Sequence, residues 1–205
     1  MTRQRGGREA RTGTPADLLV LGFGNPGPEY ERSRHNVGAR VVELLAQRHG
    51  GRLRRQRKER ALVAEVRLDG HLVALALPQT YMNDSGVAAA PLVRRYGIED
   101  LQNLVVVHDE LDLPVGRVKV KVGGGLAGHN GLRSIKAHLH SDAFCRVRIG
   151  IGKPPGGKEQ GADHVLRPPA KREREELEVS VQEAADAVEV VLRDGAAAAM
   201  NRFNA

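Results

Sequence analysis

The 205-residue chain has no tryptophan, three phenylalanines, three tyrosines and one cysteine. A protein so poor in rings is not built to read unstacked bases on an aromatic platform, so any contact with nucleic acid should run through phosphates. Cys145 alone cannot close an internal disulfide, which makes the cytoplasm the simplest compartment. No apolar run approaches the roughly 20 residues of a spanning helix. The charged N-terminus has no apolar stretch behind it, so neither membrane insertion nor a secretory signal is expected. Hydrophobic residues still make up 40% of the chain, enough at this length to bury a full core. Lys and Arg number 32 against 25 Asp and Glu, for a net charge of +7. That surplus favours a polyanionic partner, although a halo of solvated arginines would give the same balance.

Residues 1–16 combine Arg, Gly and Thr with almost no apolar content. They read as a disordered basic extension, since nothing in them can offset the entropy of ordering. A single domain is expected over 17–205, opening on the buried strand LLVLG. Asn36 sits where a helix N-cap belongs, ahead of VGARVVELLAQRHG with its i, i+3, i+4 apolar spacing. The basic run RLRRQRKER (52–60) reads as a solvated connection. Two β-like runs around Asp69-Gly70 predict a hairpin. A helix is expected from Ser85 through Tyr96, and a buried strand at Leu104–Val107. RVKVKV (117–122) alternates as an edge strand would, and a helix follows from about Asn130 to His140. An apolar strand at CRVRIGIG, a loop over PPGGKEQGADHVLRPP and a charged amphipathic helix from Ala170 to Leu192 complete the chain. The fold class is α/β: a single domain with a mixed, mostly parallel twisted sheet and helices on both faces. Sites in such sheets lie beyond the carboxyl ends of strands.

Three loops follow expected strands, at 22–36, 78–86 and 108–116, and a fourth, 123–130, precedes a helix. The first holds GFGNPG, a formal match to the dinucleotide fingerprint. That motif needs a helix opening at the loop, and Pro26 and Pro28 intervene, so no nucleotide cofactor is expected. Asn25, held extended before Pro26, can project its amide, or serve only an Asx-turn. His35 ends the loop beside a helix start. An imidazole there can be desolvated, kept neutral and able to take a proton from water near pH 7, although a surface or capping histidine would look the same. Asp109 and Glu110 follow LVVV, and a carboxylate at a strand's end is placed to hold a histidine in one tautomer. HDELD (108–112) would suit a metal cluster, but no HExxH or cysteine pair accompanies it, and no metal is expected. No G-x-S-x-G elbow offers a serine nucleophile, and Cys145 reads as a small buried hydrophobe. A water activated by histidine is the economical chemistry. Gly123, Gly124, Gly125 and Gly128 form a flexible loop beside Lys119, Lys121, His129 and Asn130. With Arg146 and Arg148 on the next strand, these lysines favour a phosphate contact, though alternating Lys also guards an edge strand.

GNPGPEYERSRHNVG (24–38), PQTYMNDSG (78–86), HDELDLPVGRVKVKVGGGLAGHNGLRS (108–134) and RVRIGIGKP (146–154) resemble the bacterial peptidyl-tRNA hydrolase family, over nearly everything from Asp17 onward. The resemblance implies cleavage of the ester between a peptide, or an N-blocked amino acid, and the 3′-terminal ribose of tRNA. That recycles tRNA after premature release from the ribosome. It also implies a cytoplasmic monomer without metal or cofactor that engages the acceptor stem and 3′ end of peptidyl-tRNA. Carried over by position, His35 is the general base and Asp109 its orienter. Asn25 and Asn83 would hold the substrate's carbonyl, peptide or ribose groups, and Asn130 would contact the water and the tRNA end. Tyr30 and Met82 would line the cleft, and Lys121 and Arg148 would meet the tRNA 5′-phosphate. Two departures stand out: the extension at 1–16, and Leu126-Ala127, which interrupts a glycine loop where many members carry a polar residue or more glycine.

Overall fold

The computed structural model describes residues 14–157 and 160–205. Among these residues seven strands form one sheet: β1 (Leu18–Gly22), β2 (Arg54–Gln56), β3 (Ala61–Leu68), β4 (His71–Pro78), β5 (Leu104–Glu110), β6 (Val118–Val122) and β7 (Cys145–Gly150). Their spatial order is β2-β3-β4-β1-β5-β7-β6. The continuous apolar runs of β1 and β5 lie at the centre, buried on both faces as helix-covered strands must be. β4, β1, β5 and β7 pair in parallel, whereas β3 and β6 run against their neighbours. The sheet is therefore mixed, and its parallel character sits in the four strands that carry the site.

Alternation along β1 sorts the core. Leu18 and Val20 face α1 (Val37–Arg48) and α5 (Lys171–Phe203), while Leu19 and Leu21 face α2 (Ser85–Arg95) and α3 (Asn130–Leu139). On α1 the stripe Val37, Val41, Val42 and Leu45 is buried, and each such side chain stabilises by about 1.5–3 kcal/mol. The β3–β4 hairpin turns at Asp69 and Gly70 with φ of 50° and 86°, the geometry that an Asp-Gly pair favours.

Five details differ from the sequence reading. β5 does not end at Val107; it continues through His108, Asp109 and Glu110, which pair with Arg148, Ile149 and Gly150 of β7. Those three residues look polar enough for a loop, but each finds a partner inside the sheet. Part of the basic run 52–60 is the exposed edge strand β2, paired with β3. A short helix, α4 (Gly161–Leu166), lies within the stretch expected as loop. α5 continues past Leu192 to Phe203 across a break at Gly195 (φ 85°, ψ 166°), because Ala196 and Ala199 still bury into the core. Ala16 is already tied down, its N–H bonded to the Tyr96 carbonyl at 3.0 Å. The rest of the expected disordered extension, residues 1–13, lies outside the described residues. Among the described residues no helix is long and apolar enough to cross a membrane.

Candidate active site

The loop after β1 and the end of β5 meet because α1 packs against both strands at a glycine. A Cβ at Gly38 would collide with the Val107 carbonyl, so only the bare backbone lets the helix approach β5 this closely. His35 sits one short turn before α1, in the 3-10 segment Arg34–Asn36. Asn36 occupies the N-cap position but does not cap. Its Oδ1 accepts the Asn25 N–H and its Nδ2 donates to the Asn25 carbonyl, both at 2.9 Å. A residue chosen by local rules as a helix signal thus fastens the Asn25 loop to the turn bearing His35.

At the centre, His35 Nδ1 lies 2.8 Å from Asp109 Oδ1, and His129 Nε2 lies 3.1 Å from the same oxygen. Burial would raise the Asp109 pKa, but His35 and His129 hold this carboxyl far below the ordinary carboxylate range. An ionised carboxylate only accepts, so His35 carries its proton on Nδ1 and leaves the Nε2 lone pair for the cleft. His129 is fixed in the opposite sense. Its Nδ1 accepts the Gly131 N–H at 3.2 Å, at the start of α3, so its proton sits on Nε2, toward Asp109. His108 lies behind them, fully buried and edge-on to His129 at 5.0 Å. Burial, then the neighbouring His129, drive its pKa well below the ordinary value, and its Nδ1 donates to the Asp109 carbonyl at 2.7 Å.

His35 itself corrects an expectation. Burial does push its imidazolium down, yet the charge of Asp109 and the bond to it outweigh that, so the pKa is raised rather than lowered. The side chain is a stronger base than desolvation alone would make it.

His35, Asp109 and Asn130 line one cavity of about 310 Å³, with His129, Glu110 and Leu111. Its outer wall is α4, through Gly161, Ala162 and Val165. Arg34 ties that wall to the His35 turn. Its guanidinium grips Glu173 at 2.5 and 2.6 Å and donates to the carbonyls of His164 and Arg167 at 3.2 and 3.1 Å. The sequence hinted at neither α4 nor this clamp, since a tie across more than 130 residues leaves no local periodicity to read.

The remaining expected residues fall into two groups. Asn25 Oδ1 accepts the Met82 N–H at 2.7 Å, which leaves its Nδ2 as the available donor. Asn83 is exposed in the short turn that follows, and Tyr30 is half-buried at the end of the Asn25 loop. Met82, expected to line the cleft, is 5% exposed and packs with Phe23 in the core beneath it. Lys121 and Arg148 lie on β6 and β7 and are not among the residues lining the His35 cavity. Arg148 is held by Glu110 at 3.2 Å. Arg146, read from the sequence as a possible phosphate contact, is buried at 1% exposure. Its guanidinium is spent on the carbonyls of Gly123, Gly124 and Gly125, so it holds the glycine loop instead. Cys145 is buried and its thiol is pushed up to about 12, mainly by burial, which makes it inert as a nucleophile.

His35, Asp109 and His129 also place three ligand-type atoms within 4.8 Å of one another. Two of these are the ring nitrogens assigned above as N–H donors to Asp109. A cation there would have to displace both protons and both bonds.

A family model described as peptidyl-tRNA hydrolase matches residues 19–205. Peptidyl-tRNA hydrolases of Rhodococcus erythropolis and Nocardia farcinica are 50% and 51% identical to this chain over 186 residues. Those alignments cover 91% of this chain in each case, and 97% and 95% of the relatives. A crystal structure of peptidyl-tRNA hydrolase from Acinetobacter baumannii superposes with a TM-score of 0.86 at 38% identity, covering 94% of this chain and 97% of that one. Matches spanning the whole described fold and its site loops leave one assignment: the chain belongs to the peptidyl-tRNA hydrolase family, hydrolases that act on ester bonds.

Proposed function

We propose that this protein cleaves the ester joining a peptide, or an N-blocked amino acid, to the 3′-terminal ribose of tRNA, using water activated by His35 and no covalent intermediate. The observation that carries the reading is the 2.8 Å bond between His35 Nδ1 and a buried, ionised Asp109, which leaves Nε2 as a base facing a cavity. No serine elbow or reactive cysteine competes with it among the described residues. Water adds to the ester carbonyl as its proton passes to His35 Nε2. Collapse of the tetrahedral species returns that proton to the departing ribose oxygen, giving tRNA and the free peptide acid, which ionises to the carboxylate by releasing its proton to solvent. Asn25 Nδ2, with its Oδ1 fixed by Met82, and the exposed amide of Asn83 suit donation to the carbonyl or to peptide and ribose groups. Asn130, on the cavity wall, suits contact with the water and the tRNA end. Tyr30 borders the same loop, and Met82 acts from beneath, through packing. Lys121 and Arg148 are assigned to the 5′-phosphate beside the acceptor stem. The protein acts as a cytoplasmic monomer, needs no metal, and returns tRNA to translation.

His35→Ala tests the chemistry. Turnover should fall by at least the ~10²–10⁴-fold that a positioned base supplies, with the fold intact by circular dichroism. Near-normal turnover by the folded variant would rule this mechanism out. Assay of the wild type with EDTA decides the metal question, since activity should survive the chelator.

A further inference from the structure

The residues assigned to the substrate leave most of the chain's positive charge without a task. The run 52–60 carries Arg52, Arg54, Arg55, Arg57, Lys58 and Arg60 against a single carboxylate, Glu59, and so holds five of the seven net charges. Glu59 is buried and paired with Arg95 at 3.3 Å. None of the six cations has an acidic partner among the described residues, whereas Arg34, Arg40, Arg48 and Arg148 elsewhere are all paired.

Three of these side chains also share a pocket. Arg55, Arg57 and Arg60 line a cavity of about 340 Å³ with Gln56, Ala61 and Gln79. The backbone of this pocket is built. Arg55 and Gln56 pair with Leu62 and Ala61 across β2–β3, and the Gln79 N–H is bonded to the Arg60 carbonyl at 2.7 Å. Gln79 follows β4, so the pocket opens at the end of the sheet where the catalytic loops lie. Three peptide units separate Gln79 from Met82, whose N–H fixes Asn25, a reach of about 10 Å at ~3.3–3.6 Å per residue.

We infer that this pocket is a second anion site, which takes phosphodiester groups of the tRNA strand. The inference rests on the tRNA reading above. Guanidinium groups are weakly hydrated forks matched to phosphate, and three arginines line one cavity with no acidic residue in its lining. The alternative anion would be an acidic side chain of the peptide. A hydrolase that meets peptides of any sequence gains little from a fixed trio of arginines aimed at them, while the phosphates are common to every substrate. The pocket lies at the β2–β3 edge, with Lys121 and Arg148 at the opposite β6–β7 edge, so the two basic zones flank the catalytic loops. Contacts this far apart should be lost independently.

The test uses Arg55→Gln combined with Arg57→Gln in the full chain. Both residues are exposed, so the fold should be retained. Binding of uncharged tRNA, measured as Kd against salt, reads the pocket without any chemistry. Kd at ~0.1 M salt should rise several-fold, and the log–log salt slope should flatten by roughly 1.5 for two lost contacts. On an N-blocked aminoacyl-tRNA, KM should rise similarly with kcat unchanged. On an N-blocked aminoacyl-adenosine, which has no phosphodiester, the variant should match the wild type. Unchanged tRNA binding would overturn the proposal, and so would equal damage on both substrates. An effect confined to tRNAs carrying acidic peptides would also overturn it, pointing to the peptide as occupant. Inorganic phosphate that binds the wild type in the pocket without displacing tRNA would mark a small-anion site and overturn it as well. If the wild type hydrolyses neither substrate, the proposed function fails by itself, and the tRNA-binding comparison still decides the pocket.

Discussion

At His35 two opposed influences set the proton affinity, and the stronger one is a single carboxylate. Burial alone would lower the imidazolium pKa, but Asp109 raises it above the ordinary 6.5. The base works only when neutral. The acid limb of kcat/KM should therefore lie above pH 6.5, with activity lost as pH falls through it. Asp109→Asn removes the charge and leaves the burial, so the limb should move to lower pH, below 6.5. The plateau rate should also fall, though by less than in His35→Ala, because orientation is disturbed while the proton acceptor remains. A pH–rate profile of the variant decides this. A limb that stays in place would show that another group titrates, and a loss larger than that of His35→Ala would make Asp109 the base or a metal ligand. Sequence reading could nominate His35 and Asp109 from their places at loop and strand ends. It could not weigh desolvation against charge, since the sign depends on a 2.8 Å distance across 74 residues.

Among the elements, α1 and α4 hold the site from two sides, each through one feature. α1 meets β5 through bare backbone at Gly38, where an added methyl would strike the Val107 carbonyl. Gly38→Ala should cost about 1–3 kcal/mol, toward the upper end because the obstacle is backbone, and should shift the His35 turn with it. Urea unfolding should show the stability loss and kinetics a fall in kcat. α4 is held through Arg34, whose side chain is 9% exposed against 17% for Glu173. Arg34→Met removes the clamp while keeping much of the bulk. It leaves Glu173 without its guanidinium partner, at a cost on the order of 3 kcal/mol, while the His164 and Arg167 carbonyls keep the backbone N–H donors of Arg167 and Arg34. Loosening the cavity wall should raise KM for substrates with a peptide more than for those with a single blocked residue, and equal effects on both would contradict that role for α4. The helical periods of α1, α2 and α3 were plain in the sequence because each buries one stripe against the sheet. α4 was not, because six residues between prolines and glycines carry no period long enough to recognise.

For the whole molecule, the net charge of +7 should act mainly through phosphates. Lys121 and Arg148 are not among the residues lining the catalytic cavity, although Arg148 pairs at 3.2 Å with Glu110, which does line it. Replacing both with Ala should raise KM for full-length substrate, flatten its salt dependence by roughly 1.5 and change kcat little. An N-blocked aminoacyl ester on a short oligonucleotide lacking the 5′-phosphate should be unaffected. If the short substrate suffers equally, the pair serves the fold. Arg146 shows how such an assignment can miss. It is two residues from Arg148 on the same strand, yet it is buried under the glycine loop and bonded to three of its carbonyls.

The sequence alone determined the sheet's central strands, the Asp-Gly hairpin and the helices that alternate with them. These follow from local periodicity and turn chemistry, which need no knowledge of distant neighbours. It also marked the loops that carry the site, since their Asn, His and Asp residues sit where strands end. Tertiary structure decided what those residues do to one another. Asn36 abandons its cap to bind Asn25, His129 shares Asp109 with His35, and Arg34 closes α4 over the cavity. Each depends on a contact between segments far apart in the chain, where a few tenths of an ångström and the local dielectric set the outcome. No window of sequence contains either quantity.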